Sequence, residues 1–190
     1  MSSTTEVNLS NKKSVHSSRN KMARLLWYWV WLLLFRPTPR PFHAWRRFLL
    51  LSFGAKLHST TRVYPRAKIW APWLLEMHES ATLSDDVDCY CVGGICIGAH
   101  TTVSQSTYLC GATHDHTHPR FPLVPLPIVI GKSCWIAADV FVAPGVTIAD
   151  GVVVGARSSV FADLPEWTVC VGSPAKPIKV RKLLNTDTYE

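Results

Sequence analysis

Residues 127–160 read PIVIGKSCWIAADVFVAPGVTIADGVVVGARSSV. Ile130, Ile136, Val142, Ile148, Val154 and Val160 recur there every six residues. The following residue is small in five cases: Gly131, Ala137, Ala143, Ala149 and Gly155. The fifth place of each unit holds Cys134, Val140, Val146, Val152 or Ser158. A period of six fits neither an amphipathic helix nor a flat strand, whose periods are about 3.6 and 2. It equals three strand alternations, so a short strand with one inward aliphatic residue can be followed by a corner, for which the small residue leaves room. Stacked at about 4.8 Å, such segments bury a column of branched side chains. A sandwich would show turn clusters every 8–12 residues or so and would not hold one register this long. The expectation is an all-β chain folded as a parallel β-helix of hexapeptide repeats.

Upstream, the pattern returns in Ile97, Val103 and Leu109, and more faintly in Val63, Ile69, Leu75 and Ala81. Between Leu109 and Ile130 the spacing is 21 residues, not a multiple of six. A loop over 111–128 must therefore leave the coil. Its prolines, Pro119, Pro122, Pro125 and Pro127, oppose continuous ladder pairing. Loops extruded from a rigid scaffold are natural places for chemistry. This one carries His114, His116 and His118 around Asp115. Imidazole titrates near neutrality and can act as a general base. Residues at i, i+2 and i+4 also share one face of a strand, as a metal site would require. Three solvated histidines are the third reading.

The chain carries a formal charge of +7, unevenly placed. Residues 1–50 hold nine Lys/Arg and one acid, while the remaining 140 hold eleven Lys/Arg and twelve Asp/Glu. A nucleic-acid-binding body would carry the basic patch itself, so nucleic acid is not an expected partner. A basic arm suits an anionic membrane face or acidic polymer. Residues 25–35, LLWYWVWLLLF, would span about 16 Å as a helix, roughly half a bilayer core. They form either a helix docked on protein or an interfacial anchor with Trp27, Trp29 and Trp31 at headgroup level. No small-residue cleavage site follows, which argues against a signal peptide. Six cysteines without CxxC spacing read as reduced core residues of a cytoplasmic protein, with the inner face of the cytoplasmic membrane as the alternative address. The expected organisation is a disordered basic N-terminus over 1–22, an apolar and aromatic helical segment over 23–56, the β-helix over 57–172, and a basic C-terminal tail over 173–190.

The stretches ICIGAHTTVSQSTYLCGATHDHT (95–117), 127–160 and VGSPAKPIKV (171–180) together resemble the hexapeptide-repeat, left-handed β-helix acetyltransferases. Among these, the chain resembles the colanic-acid and exopolysaccharide O-acetyltransferase type, related to the galactoside and maltose enzymes. The resemblance implies a homotrimer, acetyl-CoA as co-substrate, no metal, and a sugar or glycan-precursor acceptor. It assigns the catalytic base to His114, in the Ala112-Thr113-His114 motif, with His116 as second catalytic candidate. It gives Trp135 and the backbone amides of Ala138 and Ala156 to the acetyl-CoA site, with Ala138 facing the thioester oxygen. Lys176 and Lys179 match basic positions near the CoA phosphates. Tyr90 and Asp88 fall at the acceptor. Two departures stand out: Cys91 where the family often has Asn, and Phe161-Ala162 where it often has Thr-Lys. A γ-class carbonic anhydrase on the same scaffold lacks its histidine spacing here, and an inactive scaffold is the remaining alternative.

Overall fold

The computed structural model describes residues 7, 9, 10 and 16–184. Fifteen strands wind through five coils. The first coil holds β1 (Lys56–Leu57), β2 (Arg62–Val63) and β3 (Lys68–Ile69). The second holds β4 (Leu75–Met77), β5 (Thr82–Leu83) and β6 (Asp88–Tyr90), and the third β7 (Ile95–Ile97), β8 (Thr102–Val103) and β9 (Tyr108–Cys110). An arm of β10 (Ala112–His114) and β11 (Leu123–Pro125) then departs. The fourth coil holds β12 (Ile128–Ile130), β13 (Trp135–Ile136) and β14 (Phe141–Val142), and the fifth β15 (Thr147–Ile148), β16 (Val153–Val154) and β17 (Ser159–Val160). A hairpin of β18 (Thr168–Gly172) and β19 (Ala175–Val180) ends the stack.

Like strands of successive coils pair in parallel, making three faces. The first face runs β1-β4-β7-β12-β15, the second runs from β2 through β5, β8, β13 and β16 to the hairpin, and the third runs β3-β6-β9-β14-β17. Pairing passes straight over the arm: Ile97 sits opposite Ile130, Val103 opposite Ile136, and Leu109 opposite Val142, all buried. Two buried hydroxyls stitch the same joint. Thr101 Oγ1 donates to the Gly131 carbonyl at 2.6 Å, and Thr107 Oγ1 to the Ala137 carbonyl at 3.0 Å.

The small residue of each unit answers to the stacking of coils more than to its own corner. A Cβ on Gly98 would lie 2.4 Å from the Gly131 carbonyl carbon, one coil above. The corners themselves place Ser133, Asp139 and Arg157 in the left-handed region at φ of 58°, 59° and 59°. The faint early repeat is also corrected in register. Met77 pairs with Ile97, twenty residues on, whereas Ile130 pairs with Ile148, eighteen on. The lower coils insert extra residues between the third and first faces, including a 3₁₀ turn at Pro72–Leu74. The inward positions therefore step from Ile69 to Met77 and Leu83, with Leu75 and Ala81 also buried.

The N-terminal segment docks on the first coil. Helix α1 (Ser18–Val30) starts inside the stretch expected to be disordered, because the Ser17 hydroxyl accepts the Asn20 N–H and caps it. Most of residues 1–15 lie outside the described residues. A π-helical turn over Trp31–Phe35 follows, then α2 (His43–Ser52). With no coil below it, the first coil presents bare carbonyls, and side-chain donors meet them. Trp27 Nε1 donates to Ile69 O at 2.7 Å, and Trp31 Nε1 to Ala67 O at 2.8 Å. Arg46 Nε donates to Val63 O at 2.6 Å, and Arg47 Nη1 to Thr61 O at 3.1 Å. Arg46 is fully buried and also donates to Thr38 Oγ1, Pro39 O and Arg40 O. Trp27 and Trp31 are thus spent on the coil edge, while Leu25, Leu26, Trp29, Leu33 and Leu34 remain exposed on the outer side. Among the described residues, no helix is long and apolar enough to cross a membrane. The C-terminal stretch expected as a tail is ordered through β19 as an edge strand.

Candidate active site

The arm is rooted at Gly111. Its N–H donates to Tyr90 O at 2.8 Å, and its carbonyl accepts from Gly93 and Leu126, each at 3.0 Å. A Cβ there would fall 2.5 Å from the Tyr90 carbonyl oxygen, so only glycine lets the chain turn off the coil so close to its neighbour. Three pairs hold the antiparallel ribbon: Ala112 with Pro125, Thr113 with Val124, and His114 with Leu123. The prolines limit this ladder without abolishing it, because the ribbon has free edges on which a missing N–H is tolerated.

His114 is exposed at the end of β10. Its Nδ1 lies 2.7 Å from the Phe121 carbonyl. A carbonyl only accepts, so Nδ1 carries a proton, and in the neutral ring the lone pair is on Nε2. Phe121 itself has φ 44°, an uncommon conformation for a bulky residue, and its N–H is tied to His118 O at 3.0 Å. The strand ends at His114, so the three histidines do not share a strand face. His118 Nδ1 accepts the Arg120 N–H at 3.1 Å and closes the turn. Asp115 accepts the Thr117 hydroxyl at 2.6 Å and its N–H at 2.9 Å, and these bonds hold its carboxyl below the usual carboxylate range. His116 is exposed at the tip.

Below the arm, Asp88 and Tyr90 project from β6 on the third face. Burial raises the Asp88 carboxyl, opposed by Lys68, and burial also raises the Tyr90 phenol. Tyr90 belongs to an outward aromatic ladder, one ring per coil: Trp70, Tyr90, Tyr108, Phe141 and Phe161. Its successive centroids are 5.7, 6.4, 5.7 and 5.7 Å apart. Cys91 is fully buried, with its thiol on Ala71 O at 3.2 Å.

The other predicted residues gather elsewhere. Ala138 and Ala156 occupy the same corner, between the second and third faces, on the fourth and fifth coils. The Arg157 N–H donates to Ala138 O at 3.0 Å and links the two turns. Trp135 stands half exposed on the adjoining second face, its Nε1 held by Ser104 Oγ at 3.0 Å. Lys176 and Lys179 lie on β19, opposite Val171 and Val169. Their spacing of three would put them on opposite sides of a regular strand, but the bulge between Val169 and Cys170 restores them to one side. Because Cys170 is buried, that side faces outward. The arm with His114 leaves from the other edge of the third face. Within one chain, then, Trp135, Ala138, Ala156 and the lysines share one side of the solenoid, while His114, Tyr90 and Asp88 belong to the third face and its far edge. Gly111, Phe121 and Ser104 escaped the sequence reading. Only Gly111 carried a signal, as a glycine at the first residue of the repeat break.

Residues 127–162 match the bacterial transferase hexapeptide family (six repeats). A putative colanic acid biosynthesis acetyltransferase, WcaF, of Escherichia coli K12 is 50% identical over 156 residues, covering 82% of this chain and 86% of that protein. The chain belongs to the hexapeptide-repeat acetyltransferases. Within that family, the galactoside O-acetyltransferase of E. coli K12 is 27% identical over 128 residues, covering 67% of this chain and 56% of that protein. The crystal structure of a maltose O-acetyltransferase from Clostridium difficile 630 superposes with a TM-score of 0.74 at 25% identity, covering 88% of this chain and 90% of that one. The fold is also that of a Vibrio cholerae hexapeptide-repeat acetyltransferase, VCA0836, crystallised with acetyl-coenzyme A (TM-score 0.78, 24% identity, 89% and 92% coverage). Against this hexapeptide-repeat acetyltransferase background, Phe161 in place of the common Thr has a physical role, closing the aromatic ladder on Phe141.

Proposed function

We propose that this chain transfers the acetyl group of acetyl-CoA to a hydroxyl of a sugar or glycan precursor, with His114 as general base. The observation that carries the base is the 2.7 Å contact of Nδ1 with the Phe121 carbonyl. It holds the ring in the tautomer whose Nε2 can accept a proton. In the proposed step Nε2 removes the hydroxyl proton as the oxygen attacks the thioester carbonyl. The Ala138 N–H stabilises the resulting oxyanion. The C–S bond then breaks, the ester forms, and the imidazolium returns its proton to the CoA sulfur. Tyr90 and Asp88 bind the acceptor. Trp135, the Ala156 amide, Lys176 and Lys179 bind acetyl-CoA.

The separation of these groups across the third face supports a homotrimer. In it, the arm of one subunit reaches the Ala138 corner of the next. The exposed side of the N-terminal helices, with Leu25, Trp29 and Leu33 beside a basic segment, supports peripheral contact with the inner face of the cytoplasmic membrane.

The test is acceptor-dependent thiol release from acetyl-CoA across a panel of sugars. His114→Ala should lower kcat by about 100-fold or more, the usual scale of general-base loss, with little change in the KM for acetyl-CoA. Turnover that survives in His114→Ala and disappears in His116→Ala would reassign the base.

A further inference from the structure

On the first face, three potential metal ligands of different chemistry converge. Glu76 and Cys96 are direct cross-strand partners on β4 and β7. Both project outward, since their strand neighbours Leu75, Met77, Ile95 and Ile97 are buried. His78 lies two residues beyond Glu76 and so shares its side, held in line by its N–H bond to Ile97 O at 2.9 Å. His78 Nε2 is 3.3 Å from Glu76 Oε1 and 3.6 Å from Cys96 Sγ. All three donor atoms lie within 4.8 Å of one another.

The two separations from His78 match edges of a small tetrahedron. With Zn–N and Zn–O near 2.0 Å and Zn–S near 2.3 Å, tetrahedral angles put N and O about 3.3 Å apart, and N and S about 3.5 Å apart. The second carboxylate oxygen, Oε2, faces Lys56 Nζ at 3.6 Å, which leaves Oε1 to the ion and orients the carboxylate from outside. Beside the group lies an open cavity of about 240 Å³ whose wall includes Lys56, Trp73, Glu76, Cys96 and Val129. A fourth ligand from solution can enter there.

We propose that Glu76, His78 and Cys96 form a site for one divalent ion of the zinc class, with its fourth position open to the cavity. A thiolate, an imidazole and a carboxylate select zinc or cobalt over magnesium or calcium, which take oxygen ligands. Bound there, the ion would staple the second coil to the third, on a face that carries none of the proposed acyl-transfer residues. This set is assembled from two coils, which linear spacing does not show.

The experiment is titration of untagged, metal-stripped protein with Co²⁺ and then Zn²⁺. The expected result is one Co²⁺ per chain, with a near-ultraviolet thiolate-to-cobalt band that Zn²⁺ displaces. Cys96→Ser should abolish the band, and His78→Ala should weaken binding by about 100-fold or more, beyond the 10–100-fold typical of outer-shell changes. His114→Ala should bind as the parent does. The metal-free variants should melt with the metal-free parent, showing that lost binding is not lost folding. Absence of the band from the parent protein overturns the proposal. So does stoichiometric binding that persists in Cys96→Ser or vanishes in His114→Ala.

Discussion

The two ends of the solenoid face the same difficulty and meet it differently. A stack of coils must finish with a bare edge at each end, and bare edges invite pairing with other chains. At the lower end, two helices and the π-helical turn between them lay Trp27, Trp31, Arg46 and Arg47 against four carbonyls of the first coil. At the upper end, β18 receives an antiparallel partner, β19, from its own hairpin. The lower closure rests on the buried donors of Trp27 and Arg46, which water does not reach if they lose their acceptors, with the half-buried Trp31 and Arg47 beside them. The upper one uses backbone bonds near solvent, with every residue of β19 at least partly exposed. The lower end should therefore be the more costly to disturb.

The largest effect should come from Arg46. Arg46→Met removes one donor from the Val63 carbonyl, where His43 Nδ1 remains at 3.0 Å, and takes the Arg46 donor from three further acceptors; the expected loss is about 3 kcal/mol in chemical denaturation. Trp27→Phe keeps a ring but removes the N–H, so the Ile69 carbonyl is orphaned; about 1–2 kcal/mol should be lost. Trp29→Phe, on the exposed side of the same helix, should change stability by less than about 0.5 kcal/mol.

Acid should loosen the lower end selectively. Burial raises the Asp85 carboxyl, but bonds from Arg40 (2.9 Å) and the Arg66 N–H (3.1 Å) outweigh it and hold it below its ordinary value. A depressed carboxyl contributes stability above its unfolded value, and that contribution is lost as pH falls through the folded one. Melting temperature should drop on acidification below about pH 4, and Asp85→Asn should flatten that part of the curve. At the upper end, the Lys176→Ala and Lys179→Ala pair should leave stability within about 0.5 kcal/mol. Its signature should be a several-fold higher KM for acetyl-CoA at unchanged kcat.

The same contrast explains what could be read from the chain. In the upper coils, each side spends six residues, and Ile130 through Val160 announce themselves. In the lower coils, Pro72–Leu74 and Cys91–Gly94 lengthen the third corner, so a strict period of six runs out of step after Ile69. Tryptophans and arginines near residue 30 look suited to a headgroup region by composition. Which of them meets a carbonyl depends on where the first coil ends, and no local pattern encodes that. The repeat break located the arm because losing register is visible in sequence. The Phe121 carbonyl on His114 was invisible, since every residue has a carbonyl and only the turn aims this one. The two lysines of β19 appear mismatched at a spacing of three until the bulge is known.

The joint beneath the arm has a consequence for how such enzymes diversify. Ile97 meets Ile130, and Leu109 meets Val142, although the chain leaves the coil between Gly111 and Pro127 to form the arm. Thr101 and Thr107 fasten the coils on either side. The arm is thus a cassette on a frame whose coils stack directly below and above its root. Arms of other lengths and compositions, grafted between Gly111 and Pro127, would present different side chains to solvent while the aliphatic column beneath never registers the exchange.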